Sequence, residues 1–304
     1  MIRHFSVIAL VLFSLQLFGQ KKLVHGHKET ILTIAESPDG NLILSGADDE
    51  NIILQDKAGN LIFKNKAHLR SVNDVAFSPD GKNFVTAGSD TTFKIWNLDG
   101  TLIKTVIADD IYVKTITYSN DGQYILTGGG DNTAKLWTAE GDLLRKYEGH
   151  DCTIYEASFS SDNQNIVLAS CDAKISLWNI NGDRIKTIDV HEDGVSAASF
   201  SPDGNLILTA SFDKTAALLT KKGDFILRLA GHTGEINQAS FSADGKYILT
   251  AAEDGLTSIW TNEGKILSPL GTKNVMDYKC SIFSKDGKYI ITSTPDFKIV
   301  FLRI

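Results

Sequence analysis

Residues 68–96 read HLRSVNDVAFSPDGKNFVTAGSDTTFKIW, and altered copies of this stretch recur along most of the chain. The SPDG segment at 78–81 favours a tight turn, because Pro fixes φ and Gly accepts positive φ. The last position of this turn recurs five times at an interval of 41 residues and once at 42, at Gly40, Gly81, Gly122, Asn163, Gly204, Gly245 and Gly287. The chain therefore contains seven repeats.

Each repeat holds four short runs rich in Val, Ile, Leu, Phe and Thr. In the second repeat these runs cover residues 72–78, 83–87, 92–96 and 101–107. Apolar runs of this length between turn residues predict strands. A single four-stranded sheet cannot cover its own apolar faces and must pack against neighbours, so this pattern is typical of propeller blades. We predict an all-β protein, a seven-bladed β-propeller of four-stranded antiparallel blades.

The two ends of the chain complement each other. The sequence stops just after the third strand of the seventh repeat, and residues 21–25 align, one period early, with the outer strand at 61–67. We expect the N-terminal strand to join blade seven, because this closes the ring without an exposed sheet edge.

The first nineteen residues differ in composition from the rest. Arg3 and His4 precede an apolar run at 5–18, and Gly19 follows it. A positive start, a short apolar run and a small residue are typical of a signal peptide, whereas a spanning helix needs roughly 20 apolar residues. We predict a signal peptide at 1–19 and a propeller domain at 20–304. An uncleaved membrane anchor is the alternative. The mature protein is expected to be secreted, periplasmic or extracellular, without a membrane span.

The amino-acid composition limits the classes of partner that we expect this protein to bind. The chain is 42% hydrophobic and 22% charged with a net charge of -7, and its basic residues are scattered. Nucleic-acid-binding proteins gather Lys and Arg on one face, so we expect no nucleic acid partner. Phosphate-loop, zinc and calcium-loop spacings are missing, and we therefore expect no cofactor and no metal.

A recurring order of a Gly-His pair, an SPDG-like turn, an Asp and a Trp resembles the WD-repeat β-propeller family, as a secreted bacterial-type member, over residues 20–304. The resemblance implies a hydrogen-bonded His, Ser or Thr, Asp and Trp tetrad inside each blade. Two tetrads are complete in the sequence: His68, Thr86, Asp90 and Trp96, and His232, Thr250, Asp254 and Trp260. The fourth repeat has Leu168 at the hydroxyl position, and the third has Asp109 at the His position. Because the group recurs at a fixed period, we interpret it as structural and not as a hydrolytic triad.

Acidic residues follow the His position or precede the tetrad Asp in many repeats, and family geometry places them on one face. They are Glu29, Asp48, Asp110, Asp151, Glu192, Asp193, Glu235 and Glu253, against the bases Lys28 and Arg70. This predicts an acidic rim that attracts a basic segment. The alternative is that acids are merely soluble turn residues.

Four aromatic residues lie near the predicted rim: Tyr112, Tyr155, Phe212 and Tyr278. They are candidate anchors for a partner, because aromatic residues dominate interface hot spots. Packing inside the channel or between blades is the alternative.

Three cysteines are too few for a disulfide framework. The implied tetrad of the fourth repeat would bring Cys152 and Cys171 together, because Cys152 follows His150 by two residues and Cys171 directly precedes Asp172. They are a disulfide candidate, and a Cα separation beyond about 7 Å would exclude it. Two unpaired thiols are the alternative.

We predict a non-catalytic scaffold that mediates protein–protein interaction in the periplasm or at the cell surface as a monomer. A lectin-like or small-ligand-binding propeller is the alternative and would need equivalent pockets in several blades. A propeller lyase or hydrolase is less favoured, because it would need an unusual group of acids or a metal in the channel. No residue is assigned a catalytic role.

Overall fold

The computed structural model describes residues 21–22, 26–271 and 280–304, and side chains over 26–267 and 280–304. Within these ranges, 28 strands form seven four-stranded antiparallel sheets, and helices are absent. The predicted all-β, seven-bladed architecture is confirmed. The proposed signal peptide at 1–19 and Tyr278 lie outside the described residues.

The first four blades follow one another in chain order, and strands of each blade are numbered from the central channel outward. Blade one contains β2 (Ile31–Glu36), β3 (Leu42–Ala47), β4 (Asn51–Asp56) and β5 (Leu61–Lys66). Blade two contains β6 (Val72–Phe77), β7 (Asn83–Gly88), β8 (Thr92–Asn97) and β9 (Leu102–Ile107). Blade three contains β10 (Val113–Tyr118), β11 (Tyr124–Gly129), β12 (Ala134–Thr138) and β13 (Leu143–Tyr147). Blade four contains β14 (Ile154–Phe159), β15 (Asn165–Ser170), β16 (Lys174–Asn179) and β17 (Arg184–Asp189).

The remaining blades repeat this order, except that the seventh combines strands from both ends of the chain. Blade five contains β18 (Val195–Phe200), β19 (Leu206–Ser211), β20 (Thr215–Thr220) and β21 (Phe225–Ala230). Blade six contains β22 (Ile236–Phe241), β23 (Tyr247–Ala252), β24 (Leu256–Thr261) and β25 (Ile266–Gly271). Blade seven contains β26 (Ser281–Phe283), β27 (Tyr289–Ser293), β28 (Ile299–Arg303) and β1 (Lys21–Lys22).

Burial explains why the apolar runs are continuous in the middle of each blade. Five of the six residues of β3 are buried, because both faces of the sheet contact neighbouring blades. The outer strand β5 has no buried residue and alternates between exposed and half-buried positions over its last four residues. The pattern of apolar residues in a strand thus indicates how far that strand lies from the channel.

The hydrophobic core consists of clusters between adjacent blades. Trp96 of blade two packs in the same cluster as Leu44 and Leu54 of blade one. The last such cluster joins Ile31 of blade one to Phe301 of blade seven. Side-chain packing therefore closes the ring between the first and the last blade.

The turns have the positive φ angles that the glycine pattern predicts. Positive φ also occurs at one position per blade that the pattern does not predict. Asn163, which replaces Gly in the first turn of blade four, has φ 58°, so the predicted substitution is confirmed. A further positive φ follows the tetrad Asp, where Thr91 has φ 69° and Gly255 has φ 75°. Most non-glycine residues tolerate this conformation poorly, and the sequence signals it only at Gly255 and at Asn132, which has φ 65°.

The short strand β1 is the fourth strand of blade seven. Lys21 pairs with Phe301 and Lys22 with Val300, antiparallel, at the edge of β28. Residues 20 and 23–25 lie outside the described residues, so the full length of the closing strand stays a prediction.

Removing the closing strand should destabilise the whole ring. A protein that begins at residue 27 should melt about 5 °C or more below one that begins at residue 20, because the edge of β28 loses its partner. Differential scanning calorimetry measures this, and the full chain serves as the control for the loss of residues 1–19. An equal melting temperature would contradict the closure.

Candidate functional site

The loops that carry the tetrads form one end of the propeller, called here the upper face. It consists of the loop that enters each first strand and the turn between the second and third strands. The opposite end, the lower face, consists of the turns between first and second and between third and fourth strands. The His of a tetrad thus lies in the loop that enters the first strand, and the Asp lies in the turn between the second and third strands.

The structure joins the predicted tetrad residues through hydrogen bonds. In blade two, His68 Nδ1 lies 2.8 Å from the Asp90 carboxylate, and its Nε2 lies 2.7 Å from Thr86 Oγ1. Trp96 Nε1 donates to the same hydroxyl at 3.1 Å. In blade six, His232, Thr250, Asp254 and Trp260 repeat this arrangement.

The burial and the electrostatic environment of the tetrad residues indicate a structural role. Burial alone would raise the pKa of Asp90, but hydrogen bonds from His68 and from the Leu69 N–H hold that pKa well below its usual range. His68 is 1% exposed and Thr86 fully buried. A hydroxyl held between an indole and an imidazole inside the blade cannot reach a substrate.

Blade four contains a complete tetrad of a different construction. Ser176 on the third strand lies directly opposite Leu168 in the ladder. Its hydroxyl lies 2.7 Å from His150 Nε2 and accepts a hydrogen bond of 2.7 Å from Trp178 Nε1. The expectation that this blade lacks its hydroxyl is therefore wrong, because a residue across the ladder occupies the same point in space.

Blade three replaces the histidine with a carboxylate. Asp109 accepts hydrogen bonds from the backbone N–H groups of Ile111, at 2.7 Å, and Tyr112, at 3.0 Å. Burial raises the pKa of Asp109, and the nearby charge of Asp131 adds to the rise. Lys135 binds the Asp131 carboxylate, so the like charges are partly compensated.

The central channel holds two carboxyl groups that the sequence did not reveal. Asp74 accepts hydrogen bonds from Thr33 Oγ1 of blade one at 3.0 Å and from the Ile116 N–H of blade three at 2.9 Å. Glu156 of blade four accepts one from the Ala198 N–H of blade five at 3.1 Å. These acids connect blades across the channel wall, which is a structural role.

Burial raises the pKa of Glu156 to about 8, and the charge of Asp74 contributes. Throughout the described residues, no three His, Cys, Asp or Glu side chains are grouped so that they could hold a metal ion.

The predicted acidic residues lie on the upper loops. Seven are exposed, and Asp48 is half-buried; the exposed ones are Glu29, Asp110, Asp151, Glu192, Asp193, Glu235 and Glu253. We call these eight residues the acidic rim. Six of the eight belong to blades three to six, and so do Tyr112, Tyr155 and Phe212.

Two of these aromatic residues contact each other at the mouth of the channel. The rings of Tyr155 and Phe212 pack edge to face with centroids 5.4 Å apart, and both residues are half-buried. Phe212 donates its N–H to Gly194 O at 2.9 Å, so the pair lies beside Asp193 of the acidic rim. Burial raises the pKa of Tyr155, and the charges of Tyr112, Asp193 and Glu235 contribute. Tyr112 is half-buried, and its hydroxyl lies 2.9 Å from Thr153 Oγ1.

Sequence reasoning missed an apolar part of the upper face. Leu69 is 74% exposed, Ile107 78% and Ile111 57%. Leu69 donates its N–H to Asp90, and Ile107 pairs with Thr92, so both flank the same tetrad. Their exposure follows from the loops and could not be read from an apolar residue type alone.

Cys152 and Cys171 form a disulfide on the upper face of blade four, with Cα atoms 5.3 Å apart. The bond links the loop that enters β14 to the turn between β15 and β16. A loop of this size contributes about 3 kcal/mol of stability by restricting the unfolded chain. Cys280 is free and buried.

The role of the Ser176 hydroxyl in the blade-four tetrad can be tested by moving the hydroxyl to position 168. Ser176→Ala should lower the free energy of unfolding by about 1–3 kcal/mol, because His150 and Trp178 lose their shared partner. Adding Leu168→Thr should restore much of this loss. Urea unfolding measures both variants.

Ser258→Ala is the matched control, since Ser258 has the same position in blade six but Thr250 supplies that hydroxyl. Equal losses for Ser176→Ala and Ser258→Ala would contradict the assignment.

Glu156 should make stability depend on pH. Its pKa of about 8 in the folded state lies above the usual 4.5 of a glutamate. The free energy of unfolding is therefore highest at or below pH 4.5 with respect to this group, and it falls as the pH rises through 8. Glu156 is half-buried in the channel wall, so we expect Glu156→Gln to be more stable than the parent by about 1–2 kcal/mol at pH 8, and equal at pH 4.5. Urea unfolding at both pH values checks this, with Glu263→Gln, an exposed site, as control. A parent protein as stable as the variant at pH 8 would contradict it.

No helix in the described part of the chain has the length and apolar character needed to cross a membrane.

Comparison with protein families agrees with the seven repeated blades. A family model described as the IFT122 first beta-propeller matches residues 71–303, more than half of the chain. A second model, described as the WD domain, G-beta repeat, matches residues 19–56. No curated protein is significantly similar to the chain. The chain therefore belongs to the WD-repeat β-propeller family represented by the first β-propeller of IFT122.

Proposed function

We propose that this protein is a non-catalytic scaffold that binds a basic segment of a partner protein on its upper face. WD-repeat propellers generally mediate protein–protein interaction, and the acidic rim supplies the specific chemistry here. The observation that carries the proposal is the Tyr155 and Phe212 pair close to Asp193 and Glu235. Lys114 of this chain already lies over the Tyr155 ring, with Nζ 5.9 Å from the ring centroid. A partner's Lys or Arg would therefore pack its stem on the part of the pair that stays exposed, while its charge meets the acids.

The exposed apolar residues of blades two and three extend this surface. Leu69, Ile107 and Ile111 offer contact area on the same face as the acidic rim. A partner segment with basic residues at one end and apolar residues at the other would match both parts. Hydrophobic anchors supply affinity, and the charges supply orientation and rate of association.

A lectin-like or small-ligand function has less support. Repeated pockets would need similar residues at equivalent upper positions, yet these positions hold Leu69 in blade two, Asp110 in blade three and Asp151 in blade four. A lyase or hydrolase function is also disfavoured, since the channel acids Asp74 and Glu156 already bind backbone groups of neighbouring blades.

We infer export to the periplasm or cell surface of a bacterial-type cell, where the mature protein acts as a monomer. The signal-like residues 1–19 and the disulfide between Cys152 and Cys171 support this, because disulfides persist in oxidising compartments. N-terminal sequencing of the exported protein should find residue 20 first. An intact residue 1 in an exported protein would contradict the cleaved signal.

The acidic rim can be tested with a triple variant. Asp151→Ser, Glu192→Ser and Asp193→Ser together should weaken partner binding by about tenfold and flatten its salt dependence, because complementary charges are lost. The partner is first isolated by affinity purification with residues 20–304, and binding is then measured by calorimetry at several salt concentrations.

The matched control is Asp99→Ser, Asp183→Ser and Glu263→Ser, which removes the same charge from exposed turns of the lower face. Equal effects of the two triple variants would reject the acidic rim as the binding surface.

A further inference from the structure

A groove of about 770 Å³ opens on the lower face between blades two and three. Its walls include Ile95 and Ile103 of blade two and Tyr118 and Ala139 of blade three. This volume lies within the roughly 300–1,000 Å³ that is typical of binding clefts. The groove lies at the end of the propeller opposite the acidic rim.

Blade three has a small residue beside the groove, at a position where blades two and four have a large apolar residue and blades one and five have Lys57 and Lys221. Ala139 donates its backbone N–H to Gln123 O, as Leu98 does to Lys82 O and Ile180 to Gln164 O, so the three positions are equivalent. Leu98 and Ile180 pack against the clusters they share with the preceding blade. An Ala side chain is too short to do this. Ile103 of blade two, which is 51% exposed, stays open to solvent beside it, and the buried Ile95 forms the floor of the groove.

The outer strand of blade two contributes to the opening. Lys104 pairs with Ile95 as Phe63 pairs with Leu54 in blade one, so a lysine replaces a phenylalanine. The Lys104 ammonium donates to Glu140 O at 2.7 Å and to the Asp142 carboxylate at 2.9 Å. Blade three thus holds the ammonium at the mouth of the groove, where it offsets part of the charge of the nearby acids.

The mouth is acidic. Asp80, Asp121 and Glu140 line it and are exposed. Hydrogen bonds from the Ser78 hydroxyl and from Lys82 hold the pKa of Asp80 at about 2. This carboxylate is paired with Lys82 at 3.0 Å, so the acidic character of the mouth comes mainly from Asp121 and Glu140. Asp80 and Glu140 line the same groove as Tyr118. Burial raises the pKa of Tyr118, and the charges of these two acids add to the rise.

We propose that this groove is a second protein-binding site, which takes a peptide segment with one large apolar side chain flanked by Lys or Arg. The apolar side chain fills the space above Ile95, Ile103 and Ala139, and the basic residues meet the acids at the mouth. An apolar anchor in a concave site with complementary charge around it is the arrangement that gives protein interfaces affinity and specificity. The site is independent of the upper face.

Three tripeptides separate the two requirements. Acetyl-Arg-Phe-Arg-amide has the apolar group and the charge, acetyl-Glu-Phe-Glu-amide reverses the charge, and acetyl-Arg-Gly-Arg-amide lacks the apolar group. Each is titrated into residues 20–304 with ¹³C-labelled isoleucine methyl groups. The first peptide should shift the Ile95 and Ile103 signals and bind about tenfold more tightly than the other two, because only it satisfies both requirements. Equal affinities, or unshifted Ile95 and Ile103 signals, would overturn the proposal.

Filling the groove gives the second measurement. Ala139→Ile introduces the side chain that blade four has at Ile180, and Ala139→Leu introduces that of Leu98, so both should fold with an unchanged or higher melting temperature. Each should weaken binding of the Arg-Phe-Arg peptide by about tenfold, since its apolar side chain is displaced. Undiminished binding by a folded filled variant would overturn the proposal.

Charge is tested at a matched pair of turns. Glu140→Gln should weaken binding of the Arg-Phe-Arg peptide about threefold by removing one attractive charge. Glu263→Gln removes the same charge from the equivalent turn of blade six and should leave binding unchanged. The triple variant of the acidic rim should also leave the Ile95 and Ile103 shifts unchanged. Loss of these shifts in the rim variant would assign the peptide to the upper face and overturn the proposal.

Discussion

The structure depends on one constraint, which is that a four-stranded sheet has two apolar faces and cannot cover either of them alone. Each blade therefore contributes half of a hydrophobic cluster to each neighbour, and the cluster of Ile31 with Phe301 extends this to the two ends of the chain. Stability is consequently a property of the closed ring and not of any one repeat. Hydrogen bonds in the channel wall join the same adjacent blades as the apolar clusters. One example is the bond that the Ile116 N–H donates to the Asp74 carboxylate.

The tetrads show that the fold requires a group at a point in space and not a residue at a point in the sequence. A hydroxyl between a histidine and a tryptophan comes from Thr86 in blade two and from Ser176, across the ladder, in blade four. Antiparallel pairing brings residues far apart in sequence opposite each other, so either strand can present the hydroxyl. Repeats can therefore diverge in sequence while the buried hydrogen bonds are kept, which is what the high cost of an unpaired buried group demands.

Function follows from departures from the repeat. The upper face gains its character from acids that follow the tetrad histidines and from the contact of Tyr155 with Phe212. The lower groove lies where Ala139 stands in place of the larger Leu98 and Ile180 of the neighbouring blades. At both sites, packing against the neighbouring blades holds the backbone in place. A substitution at the surface therefore changes the binding surface without disturbing the ring.

The sequence by itself determined the number of blades, the strand order and the turn at Asn163, because these depend on local backbone preferences and on a repeated apolar period. It also located the tetrads of blades two and six and the loops that carry the acidic rim. It could not locate Ser176 as a tetrad member, the channel acids Asp74 and Glu156, or the groove at Ala139. These features depend on which side chains face one another across strands and between blades, and that is decided only when the ring closes and each blade contacts the next.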